Sequence, residues 1–235
     1  MSSLSQPLDH QAQSPKQQWL AILSVAVGAF ALVTSEFLPV GVLNDVASDL
    51  GISSGHAGLM VTLPGIMAAL AAPLLSVGIG SMDRRHLLVF LTLMMIVANT
   101  VVAFASDFNV LLAGRVLLGI SIGGFWATAI ALSDRLAPKG VGVGQANAII
   151  MAGGTLATVL GVPGGTWLSG LMGWRMTFLV TALVGIPVLL LQFFLLPTLK
   201  PQKAIRLNDL PALFINPKAR VGLIAVLLIG LAHFA

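Results

Sequence analysis

The sequence predicts an all-α membrane protein with about six transmembrane helices, and three observations carry that prediction. Mean hydropathy is +0.99, and 57% of the 235 residues are hydrophobic while only 9% are charged. Soluble domains carry roughly 25% charged residues, so a chain this poor in charge cannot cover a water-facing surface, and lipid must be its main solvent. Apolar runs of the ~20 residues needed to cross a ~30 Å hydrocarbon core recur six times. The lysines and arginines gather on alternate connections between those runs, as the positive-inside bias requires.

Residues 1–18 are polar and rich in Ser, Gln and Pro, and read as a disordered cytoplasmic tail. The six spans are expected at about 19–42, 56–79, 87–106, 109–132, 141–168 and 174–196, giving a bundle over 19–196. The first run is longer than the 7–15 residues of a signal-peptide core and more spans follow it, so it reads as a retained helix. A stretch at 197–219 reads as a cytoplasmic loop, and 220–235 as the start of a seventh helix, truncated at Ala235.

Ten of the twelve basic residues fall on one set of loops: Lys16; Arg84 and Arg85; Arg135 and Lys139; Lys200, Lys203, Arg206, Lys218 and Arg220. The opposite set holds Asp45, Asp49 and Asp107 with Arg175 as its only base. That alternation places both ends of the six-helix unit in the cytoplasm. It also accounts for the net charge of +4 without nucleic acid, since no interleaved basic and aromatic pattern is present. With no cysteine, disulfides and thiolate chemistry are excluded. His10, His56, His86 and His233 lack the i, i+4 spacing of a zinc helix, and no cofactor or metal is expected.

Two ionisable residues lie inside spans, Glu36 on the first and Arg115 on the fourth. Such residues are costly in lipid and mark function by default. Each is expected about six residues, roughly 9 Å, below the outer surface at 1.5 Å per residue. Opposite charges at one depth can pair across a shared polar cavity, whereas the alternative is that each snorkels separately to the interface. In such a pair desolvation and the cation act on the carboxyl proton in opposite senses, which is a physical basis for coupling a proton to a solute.

The fourth span also carries Gly119, Gly123 and Gly124, followed by Phe125 and Trp126. Gly119 and Gly123 share a face with Arg115, a spacing that serves close helix packing or a site. The fifth span carries Gly161, Pro163, Gly164 and Gly165, where proline bends a helix that either gates a pathway or simply fits its neighbours. Two G-x-S-x-G matches, Gly51 to Gly55 and Gly119 to Gly123, lack the strand-to-helix turn of a hydrolase elbow. Ser53 or Ser54 reads as a helix N-cap instead, and no enzyme activity is expected.

The connection between spans two and three reads Gly78-Ile79-Gly80-Ser81-Met82-Asp83-Arg84-Arg85, and it resembles the signature turn of major facilitator transporters. Arg115-Val116-Leu117-Leu118-Gly119 resembles that family's fourth-helix signature, and Gly161-Val162-Pro163-Gly164-Gly165 a degenerate antiporter motif. Glu36-Phe37-Leu38-Pro39-Val40-Gly41 is similar to the first helix of the drug:proton antiporter-1 group. Gly123-Gly124-Phe125-Trp126 and Gly173-Trp174-Arg175-x-x-Phe178 resemble its purine ribonucleoside and sugar efflux branch.

The resemblance implies the six-helix amino-terminal bundle of a major facilitator fold, working by alternating access between two such halves. It implies proton-coupled efflux of a small organic solute such as a nucleoside, sugar or drug, in a cell inner membrane. Glu36 would carry the proton with Arg115 as its partner. Asp83, Arg84 and Arg85 would tie helix ends on the cytoplasmic face, while a solvated charge cluster is the alternative for them. Phe125, Trp126 and Asn147 are candidates for the substrate cavity. Expected partners are the bilayer, a small-molecule substrate, protons and a carboxy-terminal half or second chain, with no nucleic acid. A non-transporting membrane subunit that needs a partner half is the alternative function.

Overall fold

A computed structural model describes residues 14–78, 82–138 and 140–199. Among these residues all regular structure is helical: α1 (Pro15–Asp49), α2 (Ser54–Ala57), α3 (Leu59–Gly78), α4 (Arg84–Ala103), α5 (Phe108–Leu136), α6 (Val143–Met172) and α7 (Trp174–Leu195). Six of them, with α2 and α3 counted together, are long and apolar enough to cross a membrane. The expected tail at 1–13, most of the loop at 197–219 and the expected seventh helix lie outside the described residues.

Helix ends differ from the apolar boundaries. α1 begins at Pro15, inside the expected polar tail, because Ser14 caps it: Ser14 Oγ accepts from the Gln17 amide at 3.3 Å while the Gln17 side chain accepts from the Ser14 amide. α1 also runs on to Asp49 instead of ending near Val42. Its polar last turns have partners that hold them: Ser169 Oγ donates to Asp45 at 2.7 Å, and Trp174 Nε1 and Arg175 both donate to Asp49. Asp83 and Asp107 cap α4 and α5 in the same way. α6 and α7 meet at Gly173 alone, whose φ of +82° suits glycine.

The helices pair closely. α1 and α6 run parallel, with Gly153 on Ala26 and Gly165 on Leu38. α3 and α5 also run parallel, with Gly119 on Pro64 and Gly123 on Ala68. α4 packs antiparallel to both α5 and α7, so that Leu91 faces Ser121 and Thr92 faces Gln192. Small residues permit these approaches, since helix association in lipid depends on packing. One buried cluster, including Ile22, Leu88, Met95, Phe125 and Ile150, fills the end of the bundle nearer Asp83. A second, including Val46, Met60, Leu111, Trp174 and Phe178, fills the end nearer Asp49.

Large apolar side chains such as Leu74, Val159, Trp167 and Phe194 stand two-thirds or more exposed around the outside, or nearly so. That much exposed apolar surface has no place in water. The chain is a multi-pass membrane protein.

Candidate functional site

Pro39 interrupts α1 and Pro64 interrupts α3 without ending either helix. A proline has no N–H to donate to the carbonyl four residues back. Pro39 therefore strands the carbonyl of Ser35, and Pro64 that of Met60. Arg115, on α5 and fully buried, occupies both. Its Nη1 donates to Ser35 O at 2.9 Å and its Nε to Met60 O at 2.7 Å, while Nη2 reaches Glu36 O at 3.1 Å. Three backbone acceptors thus solvate a cation that would otherwise be prohibitively placed.

Glu36 follows directly on this arrangement. Its backbone carbonyl is one of the three acceptors, and its side chain, 9% exposed, borders a cavity of about 470 Å³. Among the described residues it is the only ionisable side chain lining that space. No described residue hydrogen-bonds its carboxylate, and Arg115 does not come within ion-pair distance. Arg115 and Glu36 thus meet at one level of the bundle, with the guanidinium turned to the backbone and the carboxylate to the cavity.

The remaining wall comes from α3, α5 and α6. Gly65 and Ala68 leave room on one side, Trp126 presents its ring, and Thr155 and Thr158 supply hydroxyls. Those hydroxyls donate to Met151 O at 3.1 Å and Thr155 O at 2.7 Å, so their oxygens keep lone pairs for another donor. Chemically the space offers one carboxylate, an aromatic face and hydroxyl oxygens, with apolar walls elsewhere.

Other sequence-predicted positions lie apart. Phe125 is fully buried in the core, edge-to-face with Trp126 at 6.0 Å, and does not line the cavity. Asn147 is half-buried near the start of α6, also off the cavity, and its Oδ1 has no hydrogen-bond partner among the described residues. Gly161 and Gly165 face α1, a methyl on Gly164 would meet nothing within 4 Å, and α6 continues through Pro163.

Asp83, Arg84 and Arg85 form a second cluster at the other end. Asp83 Oδ1 accepts from the amides of Arg85 and Leu199, both at 2.9 Å, and the Arg84 amide donates to Leu199 O at 3.1 Å. Arg85 donates to Phe193 O and lies 5.1 Å over the Phe193 ring. These three residues bind the segment leaving α7 to the start of α4.

Sequence reasoning missed the polar contacts that frame Glu36. Asn99 Nδ2 donates to Ser35 Oγ at 3.0 Å, and Ser35 Oγ to Ala31 O at 2.9 Å. Deeper toward the Asp83 end, Thr92 donates to Gln192 at 2.6 Å. The available signal was the residue four positions before Pro39 and before Pro64, together with lone amides in apolar runs.

Comparison with known proteins agrees with this architecture. The pattern of the Major Facilitator Superfamily matches residues 25–235. The chain is 41% identical over 195 residues to the "Transcription regulatory protein OpdE" of Pseudomonas aeruginosa, covering 82% of this chain and 48% of that protein. It is 33% identical over 220 residues to the "Purine ribonucleoside efflux pump NepI" of Salmonella paratyphi B, covering 94% and 55%. Among solved structures, a POT family transporter in complex with 5-aminolevulinic acid superposes with a TM-score of 0.66 at 12% identity. That match covers 97% of this chain and 49% of the other, a likeness of fold alone. The chain thus spans about half the length of the curated relatives it matches. With six apolar helices packed in this way and the family's pattern running from residue 25 to the last, the chain belongs to the Major Facilitator Superfamily.

Proposed function

We propose that this chain is the amino-terminal half of a proton-coupled exporter of a small organic solute, working by alternating access in a cell inner membrane. The observation that carries the reading is Glu36, among the described residues the one ionisable side chain on a cavity of about 470 Å³. A carboxylate with no donor among the described residues and a cation nearby changes its proton occupancy when a solute enters or the wall moves. Proton and solute then compete for one group, which is the basis of antiport. Arg115 supplies the nearby positive charge. Trp126, Thr155 and Thr158 suit a solute with a flat ring and hydroxyl donors, and the relative whose name describes purine ribonucleoside efflux makes a nucleoside the first solute to try.

Both chain ends of the bundle face the cytoplasm in this reading, since Arg84, Arg85 and Arg135 share one end with Asp83. Asp83, Arg84 and Arg85 then act on the cytoplasmic side, where the segment after α7 leaves for the second half. Exposed apolar residues on α3 and α6, Leu70, Leu74, Val159 and Leu160 among them, supply the wall against which that half would rest.

The test is reconstitution of the chain in vesicles, alone and together with a complementary carboxy-terminal half, with radiolabelled inosine inside and an imposed pH gradient. Gradient-driven efflux that needs both halves and is lost in Glu36→Gln supports the reading. Undiminished gradient-driven efflux in Glu36→Gln refutes the proton role. Absence of movement for inosine and for a panel of sugars and organic cations, with both halves folded, favours the non-transporting subunit instead.

A further inference from the structure

In a regular helix the amide of residue i donates to the carbonyl of residue i−4. Residue 39 should serve Ser35 and residue 64 should serve Met60, and both positions are proline. Arg115 donates to those same two carbonyls from a third helix, at 2.9 and 2.7 Å. One buried side chain therefore stands in for two missing backbone donors, on α1 and α3. We propose that Arg115 is a positioning residue: it replaces the donors that Pro39 and Pro64 remove, and so fixes the direction in which α1 presents Glu36 to the cavity. The second clause rests on the role proposed for Glu36; the first does not.

The chemistry explains the residue type. Guanidinium carries five donors in a rigid planar fork, so Nε and the two terminal nitrogens can serve acceptors on different helices at once. Lysine has the charge without the fork. Simple charge pairing would turn those donors to the Glu36 carboxylate, but they end on Ser35 O, Met60 O and Glu36 O. A second arm holds the same point of α1, because Asn99 of α4 donates to Ser35 Oγ at 3.0 Å. Residue 35 is thus gripped through its carbonyl and its side chain, and four helices meet beside Glu36. Among the described residues Arg115 is the only charged group acting on Glu36. α3 and α6 bring Gly65, Ala68, Met151, Thr155 and Thr158 to the same cavity. Asp45 and Asp49 lie further along α1, engaged by Ser169 and Arg175.

The test is a mutant cycle between an arginine and two prolines on different helices. The full chain is purified into lipid nanodiscs with Arg115→Lys, with Pro39→Ala plus Pro64→Ala, and with all three changes. Two signals are read: the thermal unfolding midpoint, and the pH midpoint of emission from Trp126 on the cavity wall, taken as the difference from Trp126→Phe. Arg115→Lys should lower the thermal midpoint and move the pH midpoint by about one unit, a tenfold change in proton affinity. In the Pro39→Ala, Pro64→Ala background the restored amides bond Ser35 and Met60, and both effects should fall by half or more. A purely electrostatic Arg115 gives a different result: Arg115→Lys, which keeps the charge, behaves as the parent in both backgrounds, and the proposal is overturned. Equal losses with and without the prolines overturn it as well. Glu36→Gln should abolish the Trp126 titration. If that titration persists, the role of Glu36 and the second clause fall together, while the thermal cycle still decides the first.

Discussion

Gly153 offers the sharpest test of the packing argument. A methyl group there would lie 2.1 Å from the carbonyl oxygen of Ala26 and 2.9 Å from its carbon, backbone atoms of α1 that have no rotamer to yield. An ordinary contact needs about 3.4 Å, so α1 and α6 must part by on the order of 1 Å, and well-packed interiors resist such a shift. Overpacking of this kind costs about 1–3 kcal/mol. The gain in helix propensity from Gly to Ala is about 1 kcal/mol and partly hides it. Gly164→Ala on the same helix removes that ambiguity: it has the same propensity gain but meets nothing within 4 Å. The difference between the two variants isolates the clash at about 1–3 kcal/mol, or about 2–12 °C in unfolding midpoint for a chain of this size. The assay is thermal unfolding of both variants in one detergent, followed by intrinsic fluorescence. Gly153→Ala should unfold lower, and its cavity should change shape because Gly154 and Thr155 line the wall one step further on. Equal midpoints for the two variants would refute the argument that backbone contact sets the α1–α6 spacing.

Four further outcomes follow from named contacts. Asp83→Ala removes both the α4 cap and the acceptor for the Leu199 amide; the cap contributes about 1 kcal/mol, and hydrogen exchange at Leu199 should accelerate several-fold, unlike exchange at Val188. Thr92→Val breaks the only hydrogen bond to the Gln192 side chain found among the described residues. It should cost about 0.6–1.7 kcal/mol as interhelical bonds in membranes do, while Thr92→Val with Gln192→Leu should be close to neutral in the same unfolding assay. Arg175→Ala removes a half-exposed pair with Asp49, about 0.2–1 kcal/mol, and high salt should shrink the loss. Trp174→Ala, in the buried cluster, should cost about 3–5 kcal/mol regardless of salt.

The fold was legible because lipid imposes one rule on every span, and six runs of sufficient length obey it. Ends were less legible, because polarity and helix termination are separate events. α1 passes through Asp45 and Asp49 as a helix since Ser169, Trp174 and Arg175 wait for them on α6 and α7, which are far away in sequence. At the site, the level shared by Glu36 and Arg115 was readable from span direction. What the guanidinium holds was not, because charge suggests a charged partner and the acceptors are backbone. Phe125 and Trp126 are adjacent and equally aromatic, yet only Trp126 borders the cavity. A rotation of about 100° per residue separates core from wall, and that rotation depends on the neighbouring helices.

The bonds from Asp83 and Arg84 to Leu199 also set where mechanical load enters the bundle. The chain does not leave from the free end of α7; it leaves from a point fixed beside the first turn of α4. Displacing Leu199 would load the cap of α4 first, and that helix carries Asn99, which holds the Ser35 hydroxyl. From Asp83 to Asn99 that helix runs about 24 Å at 1.5 Å per residue. One helix thus joins the anchor at Leu199 to the residue that precedes the acid on the cavity.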